Sequence, residues 1–242
     1  MKLTLTQIYQ ILFKRYGPQH WWPAKTPFEV IVGAILTQST AWINVEKAIK
    51  NLRKAQALTP KALRDIPEKE LAVLIHSCGY YNVKARKLKA FVEWFEKRYQ
   101  SSLKRMFANE LISLREELLG VYGIGEETAD SILLYAGGKP IFVIDAYTRR
   151  IVDRMGIHLT PVSSTGQALN PSPARGEGNT LNKYADYQKL FMSNLPPDAT
   201  LFNEYHALLV RLGKEQCRKK PACEGCCMGE GCGENQKLKI KS

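Results

Sequence analysis

Apolar side chains recur along this chain at the spacing of a helix face nearly from end to end. Ile8, Ile11, Leu12 and Tyr16 share one face, as do Phe28, Val32, Ile35 and Leu36, and then Ile43, Val45, Ala48, Ile49 and Leu52. The same periodicity predicts helices over 60–66, 68–77, 82–99 and 108–119, and later over 146–156, 182–193 and 199–214. After Gly125, the residues Ala129, Ile132, Leu133 and Ala136 form one stripe, and Gly137-Gly138 supplies a C-terminal stop. No segment alternates long enough to build a sheet, so the expected fold is all-α. One stretch, 161–180, holds three Pro and three Gly with few aliphatic side chains. Such a composition offsets little of the entropy of ordering it, and it reads as a flexible surface insertion, with Arg175 its one basic side chain.

A chain of 242 residues can bury one good core or two smaller lobes. Its formal charge of +12 favours a polyanionic partner, since each phosphate neutralised releases counterions, although a merely basic soluble protein has the same balance. No apolar run approaches the roughly 20 residues of a membrane span. The N-terminal MKLTLTQIYQILFKRYG reads as an amphipathic helix without a signal-peptide cleavage pattern. These features predict a cytoplasmic, nucleoid-associated monomer with no membrane partner. Of six cysteines, Cys78 stands in an apolar stretch and reads as a small buried hydrophobe. The other five, Cys217, Cys223, Cys226, Cys227 and Cys232, crowd together in a way that metal ligation explains better than disulfides in a reducing compartment.

Two local patterns carry chemistry. Gly123-Ile124-Gly125 makes a tight turn into a helix, where a backbone without Cβ atoms and the free amides of a helix start suit a DNA phosphate. Asp145 ends the apolar run PIFVID just before AYTRRIV. Locally it reads as a helix N-cap, and a capping carboxylate is also one held oriented and ionised. A carboxylate so placed can steady an oxocarbenium-like transition state or activate water.

The phrase LLGVYGIGEETADSILLYAGGKPIFVID resembles the helix-hairpin-helix-Gly/Pro-Asp motif of the endonuclease III superfamily of DNA glycosylases. HWWPAKTPFEVIVGAILTQSTAWINVEKA and GYYNVKARKL are similar to the branch that includes 3-methyladenine DNA glycosylases. The resemblance covers nearly the whole chain apart from 161–180 and the last ten residues. It implies a two-lobed fold: a six-helix barrel over 25–137 carrying the hairpin, and a second lobe joining 1–24 to 138–242, with DNA across the cleft between them. It assigns the catalytic aspartate to Asp145. It also implies a base pocket of Trp21, Trp22, Pro23 and Trp42, with Lys214 beside it, although a WWP loop and a long lysine stem also read as packing and as a solvated side chain.

Gln38, in LTQST, matches a residue that fills the gap left by an extruded nucleotide, and Asn82 and Lys84, with Arg86 and Lys87, form a basic patch for phosphates. Gly123, Ile124 and Gly125 match the hairpin that grips the strand. At position 127 the strand-cleaving members carry a lysine; here Glu127 stands instead, and a carboxylate cannot form a Schiff base. The implied enzyme is a monofunctional N-glycosylase acting on a damaged, alkylated base in double-stranded DNA, with Glu127 as a pocket acceptor or as a first-turn glutamate favoured by the helix dipole. The alternatives are a glycosylase/lyase for oxidised pyrimidines using Lys139 or Lys214, and a non-catalytic binder of DNA structures.

Cys217-x5-Cys223-x2-Cys226-x5-Cys232 is similar to the family's [4Fe-4S] loop but one residue short in its first gap. Cys227 could replace Cys226, and zinc is the rival to iron–sulfur, since four thiolates alone do not discriminate.

Overall fold

The computed structural model describes residues 3–157 and 183–234; the 161–180 insertion and Arg175 lie outside them. The described residues are helical and contain no strand. They form two compact units, one of residues 20–143 and one joining 1–19 to 144–242.

In the contiguous unit, α2 (Pro27–Leu36) is buried on every side from Phe28 to Leu36, so it is the central helix rather than an amphipathic one. Its one buried charge, Glu29, is met by both 2.8 Å hydrogen bonds of Arg53 on α3 (Trp42–Lys54). Around these run α4 (Pro60–Asp65), α5 (Glu68–Leu74), α6 (Tyr81–Tyr99), α7 (Leu103–Phe107) and α8 (Leu111–Leu119). α2 and α4 begin alike, with a threonine N-cap followed by proline, which satisfies an orphan amide and pre-sets the first φ. α6 buries Lys84, Ala85, Leu88, Phe91, Val92, Phe95 and Tyr99, a stripe with a lysine at its head. After α9 (Glu126–Ser131) the chain widens into a π-turn over Ile132–Ala136 instead of continuing as the single α-helical stripe expected from sequence. Such turns shift every later side chain by one position, and here Tyr135 swings against Trp22.

The discontinuous unit packs N-terminal α1 (Leu5–Tyr16) and α10 (Ala146–Met155) on α12 (Ala199–Glu215), with α11 (Tyr184–Met192) alongside. Tyr205 of α12 donates its hydroxyl to the Leu5 carbonyl at 2.9 Å, and Arg211 donates to the Tyr16 carbonyl at 3.3 Å while stacking on that ring. α10 and α12 cross closely at Gly213, where a Cβ would overlap the body of the Tyr147 ring.

Candidate functional site

Asp145 caps α10: its Oδ1 accepts the Thr148 amide at 2.7 Å. Its Oδ2 lies 3.7 Å from Nε2 of His206 on α12, too long for a hydrogen bond. The Asp145 side chain keeps 13% of its surface exposed, so the carboxylate is sheltered yet reachable. Burial pushes its pKa up, but the His206 imidazole and the Thr148 amide outweigh that, and the net shift is below the ordinary value. A depressed folded pKa adds stability above about pH 4, lost as pH falls through the folded value. His206 was missed from sequence; it sits on the buried face of α12 between Phe202 and Leu209, and a polar residue on an apolar stripe was the available signal. His206→Gln should therefore raise the Asp145 pKa and move the acid limb of the stability profile to higher pH. Thermal melts from about pH 3 to about pH 8 check this, and an unmoved limb rules it out.

In the contiguous unit the three predicted indoles gather. Trp22 meets Trp42 edge-on at 5.1 Å and Trp21 at 6.1 Å, and Trp21 and Trp42 stand 6.4 Å apart. Tyr135, absent from the sequence reading, closes the far side of Trp22 at 5.1 Å. Gly33 makes room for the Trp22 ring, which a Cβ would approach to 3.3 Å. Trp42 is fixed by its Nε1–H donating to Glu46 at 2.7 Å. Pro23 is exposed, Glu127 is exposed in the first turn of α9, and Lys214 is exposed on α12 of the other unit.

The hairpin turn joins α8 to α9. Gly123 takes φ +81°, and its position lies under the stem of Lys87, where any Cβ would collide. Gly125 is exposed. Ile124 plays another part than expected: its side chain is buried and its amide donates to the Val121 carbonyl at 3.1 Å, so it anchors the turn and offers no hydrogen to a phosphate. Gln38 is held against this turn, its Nε2 donating to the Gly123 carbonyl at 2.9 Å and to Thr128 at 3.0 Å, and its Oε1 accepting from Lys87. Asn82 and Arg86 face outward on α6, but Lys84 is a correction. It is 2% exposed and its ammonium is engaged by three protein oxygens, so it cannot belong to a phosphate-binding patch. Tyr80, also missed, is 77% exposed with φ +46°, and so large a ring held outward was legible only from the backbone.

Cys217, Cys223, Cys226 and Cys232 line one cavity walled by Ile151, Met155, Leu212 and Met228, and Cys227 is not among its lining residues. The sulfurs ring this space without converging on one point: among the described residues no trio of Cys, His, Asp or Glu stands close enough to hold an ion. An apolar chamber lined by four thiols suits a thiolate-held group by its donor chemistry. Two arginines of α10 hold the loop, Arg150 donating to the Cys217 carbonyl at 2.8 Å and Arg154 to the Lys219 carbonyl at 2.9 Å and the Cys217 sulfur at 3.3 Å.

Residues 32–168 match the family described as HhH-GPD superfamily base excision DNA repair protein. A protein of Methanocaldococcus jannaschii, named provisionally as a DNA repair glycosylase, is 40% identical over 93% of this chain and 94% of its own length. Endonuclease III of Thermotoga maritima is 27% identical over 94% of this chain and 92% of its own. The crystal structure of Helicobacter pylori 3-methyladenine DNA glycosylase bound to 1,N6-ethenoadenine superposes with a TM-score of 0.69 at 26% identity, covering 88% of this chain and 98% of that one. With more than half its length inside the family match and a relative this similar end to end, the chain belongs to the HhH-GPD superfamily of base excision DNA repair proteins, as a DNA glycosylase of the endonuclease III-related kind.

Proposed function

We propose that this glycosylase is monofunctional and releases alkylated purines from double-stranded DNA. The observation that carries the reading is the gathering of Trp21, Trp22, Trp42 and Tyr135 in one aromatic cluster, which we read as the cage of the base pocket. N-alkylation leaves a purine cationic, and electron-rich rings attract a cation through their faces. The likeness to a 3-methyladenine glycosylase supports the same class. In this reading the cage reads the extruded base and the ionised Asp145 steadies the cation that forms at the sugar, while water completes the displacement and an abasic site remains. Glu127 offers an acceptor to the base where a lyase would present its amine. Gln38 fills the stack, and Asn82, Gly123 and Gly125 meet the backbone. The protein acts as a monomer on the nucleoid.

A [4Fe-4S] cluster held by Cys217, Cys223, Cys226 and Cys232 completes the proposal; when bound it braces the basic loop Arg218-Lys219-Lys220 towards DNA. No chemical step is assigned to it. The second reading, a glycosylase/lyase for oxidised pyrimidines, is supported by the endonuclease III relatives and requires another amine. Its candidates are Lys139, whose Nζ is hydrogen-bonded to the Asn109 carbonyl at 2.7 Å, and the exposed Lys214. Mass spectrometry of bases released from methylated and from oxidised duplex DNA separates the two. Methylated purines without a borohydride-trapped covalent adduct are expected; oxidised pyrimidines with an adduct would replace the first reading by the second.

A further inference from the structure

Lys84 is the one fully buried lysine among the described residues, and its ammonium binds only uncharged oxygens: the Leu36 carbonyl at 2.9 Å, the Cys78 carbonyl at 2.8 Å and the Thr40 hydroxyl. The first two oxygens end helices, α2 and the short 3₁₀ turn His76–Cys78, so the charge sits at the negative ends of two helical segments. Thr40 closes the circle by donating its single hydroxyl proton to the Cys78 carbonyl at 2.6 Å, with the Gln38 carbonyl 3.2 Å away. Burial lowers the Lys84 pKa, which is the cost of holding a charge here.

The two chain segments so joined are unusual in the same way. The 37–41 loop carries Gln38 and turns through Ser39 at φ +52°; the 78–81 turn carries the exposed Tyr80 and turns through Gly79 at φ +61°. Each leads directly into a helix, α3 with Trp42 at its start and α6 with Lys84 in its first turn. One turn further along α6, Lys87 holds the Gln38 side chain itself.

We infer that Lys84 is a positioning residue, which ties the Gln38 loop to the 78–81 turn as one rigid element and so holds Gln38 for entering the DNA stack. The inference rests on the reading that Gln38 enters the duplex. A wedge must hold its shape while base pairs are forced apart, and a buried three-way hydrogen-bonded charge gives that stiffness where two short loops alone do not. Lys84→Met keeps the apolar stem and removes the donors, and Thr40→Val removes only the hydroxyl link.

The test uses the full-length protein and a duplex containing a tetrahydrofuran abasic analogue with 2-aminopurine beside it. Fluorescence of 2-aminopurine at saturating protein reports unstacking, and anisotropy of a labelled copy reports binding. Both variants should bind within about threefold of the parent yet lose more than about two-thirds of the unstacking signal. Full signal in both variants overturns the inference, and so does a loss of binding as large as the loss of signal. Should Lys84→Met fail to fold by its thermal melt, Thr40→Val decides alone on the same two readouts. Gln38→Ala separates the layers: if it keeps the full signal the intercalation reading is wrong, whereas its loss with Lys84→Met intact sinks only the role of Lys84.

Discussion

Replacing Asp145 by asparagine is expected to cut base release by about 10²–10³-fold while leaving the fold in place. The expectation follows from the capping bond of this side chain and from the catalytic role proposed for it. As an N-cap it accepts the Thr148 amide through one oxygen, and an asparagine carbonyl can do the same. As a charge it lies 3.7 Å from His206 with limited exposure to water, where a negative group facing a developing cation is worth far more than in solvent. Asparagine removes the second duty and keeps the first. Alanine removes both, and should add a stability loss of about 1 kcal/mol visible in thermal melts. Single-turnover release of methylated purines checks the pair of variants. Unchanged release by Asp145→Asn, with DNA binding intact, would mark the protein as a binder of DNA structures.

Cys226→Ser should strip the protein of iron and of its visible absorbance, and lower its melting temperature by about 5–15 °C. Cys227→Ser should do none of these. The two residues are neighbours in sequence, and spacing alone left the third ligand open between them. Only Cys226 turns into the chamber with Cys217, Cys223 and Cys232, whose walls come from α10 and α12. Losing a ligand therefore loosens the packing between those helices as well as the loop. Iron analysis, the absorbance spectrum and a melt of each variant suffice. A colourless parent holding one zinc would refute the iron–sulfur assignment, and equal losses in both variants would refute the ligand set.

Much of this architecture was legible because long amphipathic periods leave little choice. α6, α10 and α12 lie within a residue or so of the ranges the stripes predict. α7 was not anticipated, since five residues offer barely one turn of periodicity to read. The π-turn had no signature either: Ile132 to Ala136, which packs on α2, is as apolar as any α-helical stripe. Lys84 teaches a different lesson. It stands four residues before Leu88 on the buried face of α6, so the period itself placed it inside, yet its charge drew it into a surface patch with Asn82 and Arg86. Ile124 likewise was read by its neighbours, though an apolar side chain between two glycines is the natural anchor of such a turn.

The cage was half legible. The indoles are conspicuous in any sequence, but Tyr135, which meets Trp22, lies within the π-turn that no local pattern announces. His206 could be singled out as a polar residue on the apolar stripe of α12, but its partner Asp145, like the partner Gln38 of Lys87, lies far away along the chain, and no local pattern encodes that pairing.

The division of the chain has a consequence for how the molecule is made. Residues 20–143 are contiguous, so the aromatic cage and the hairpin can assemble while the ribosome is still extending the polypeptide. The unit of Asp145 cannot: α1 is made before residues 20–143, but the Tyr205 and Arg211 contacts of its partner α12 are made only after them. Until then Ile8 and Leu12 have no core to enter, and a chain cut short within α12 would carry the aromatic cluster and the hairpin without a completed unit around Asp145.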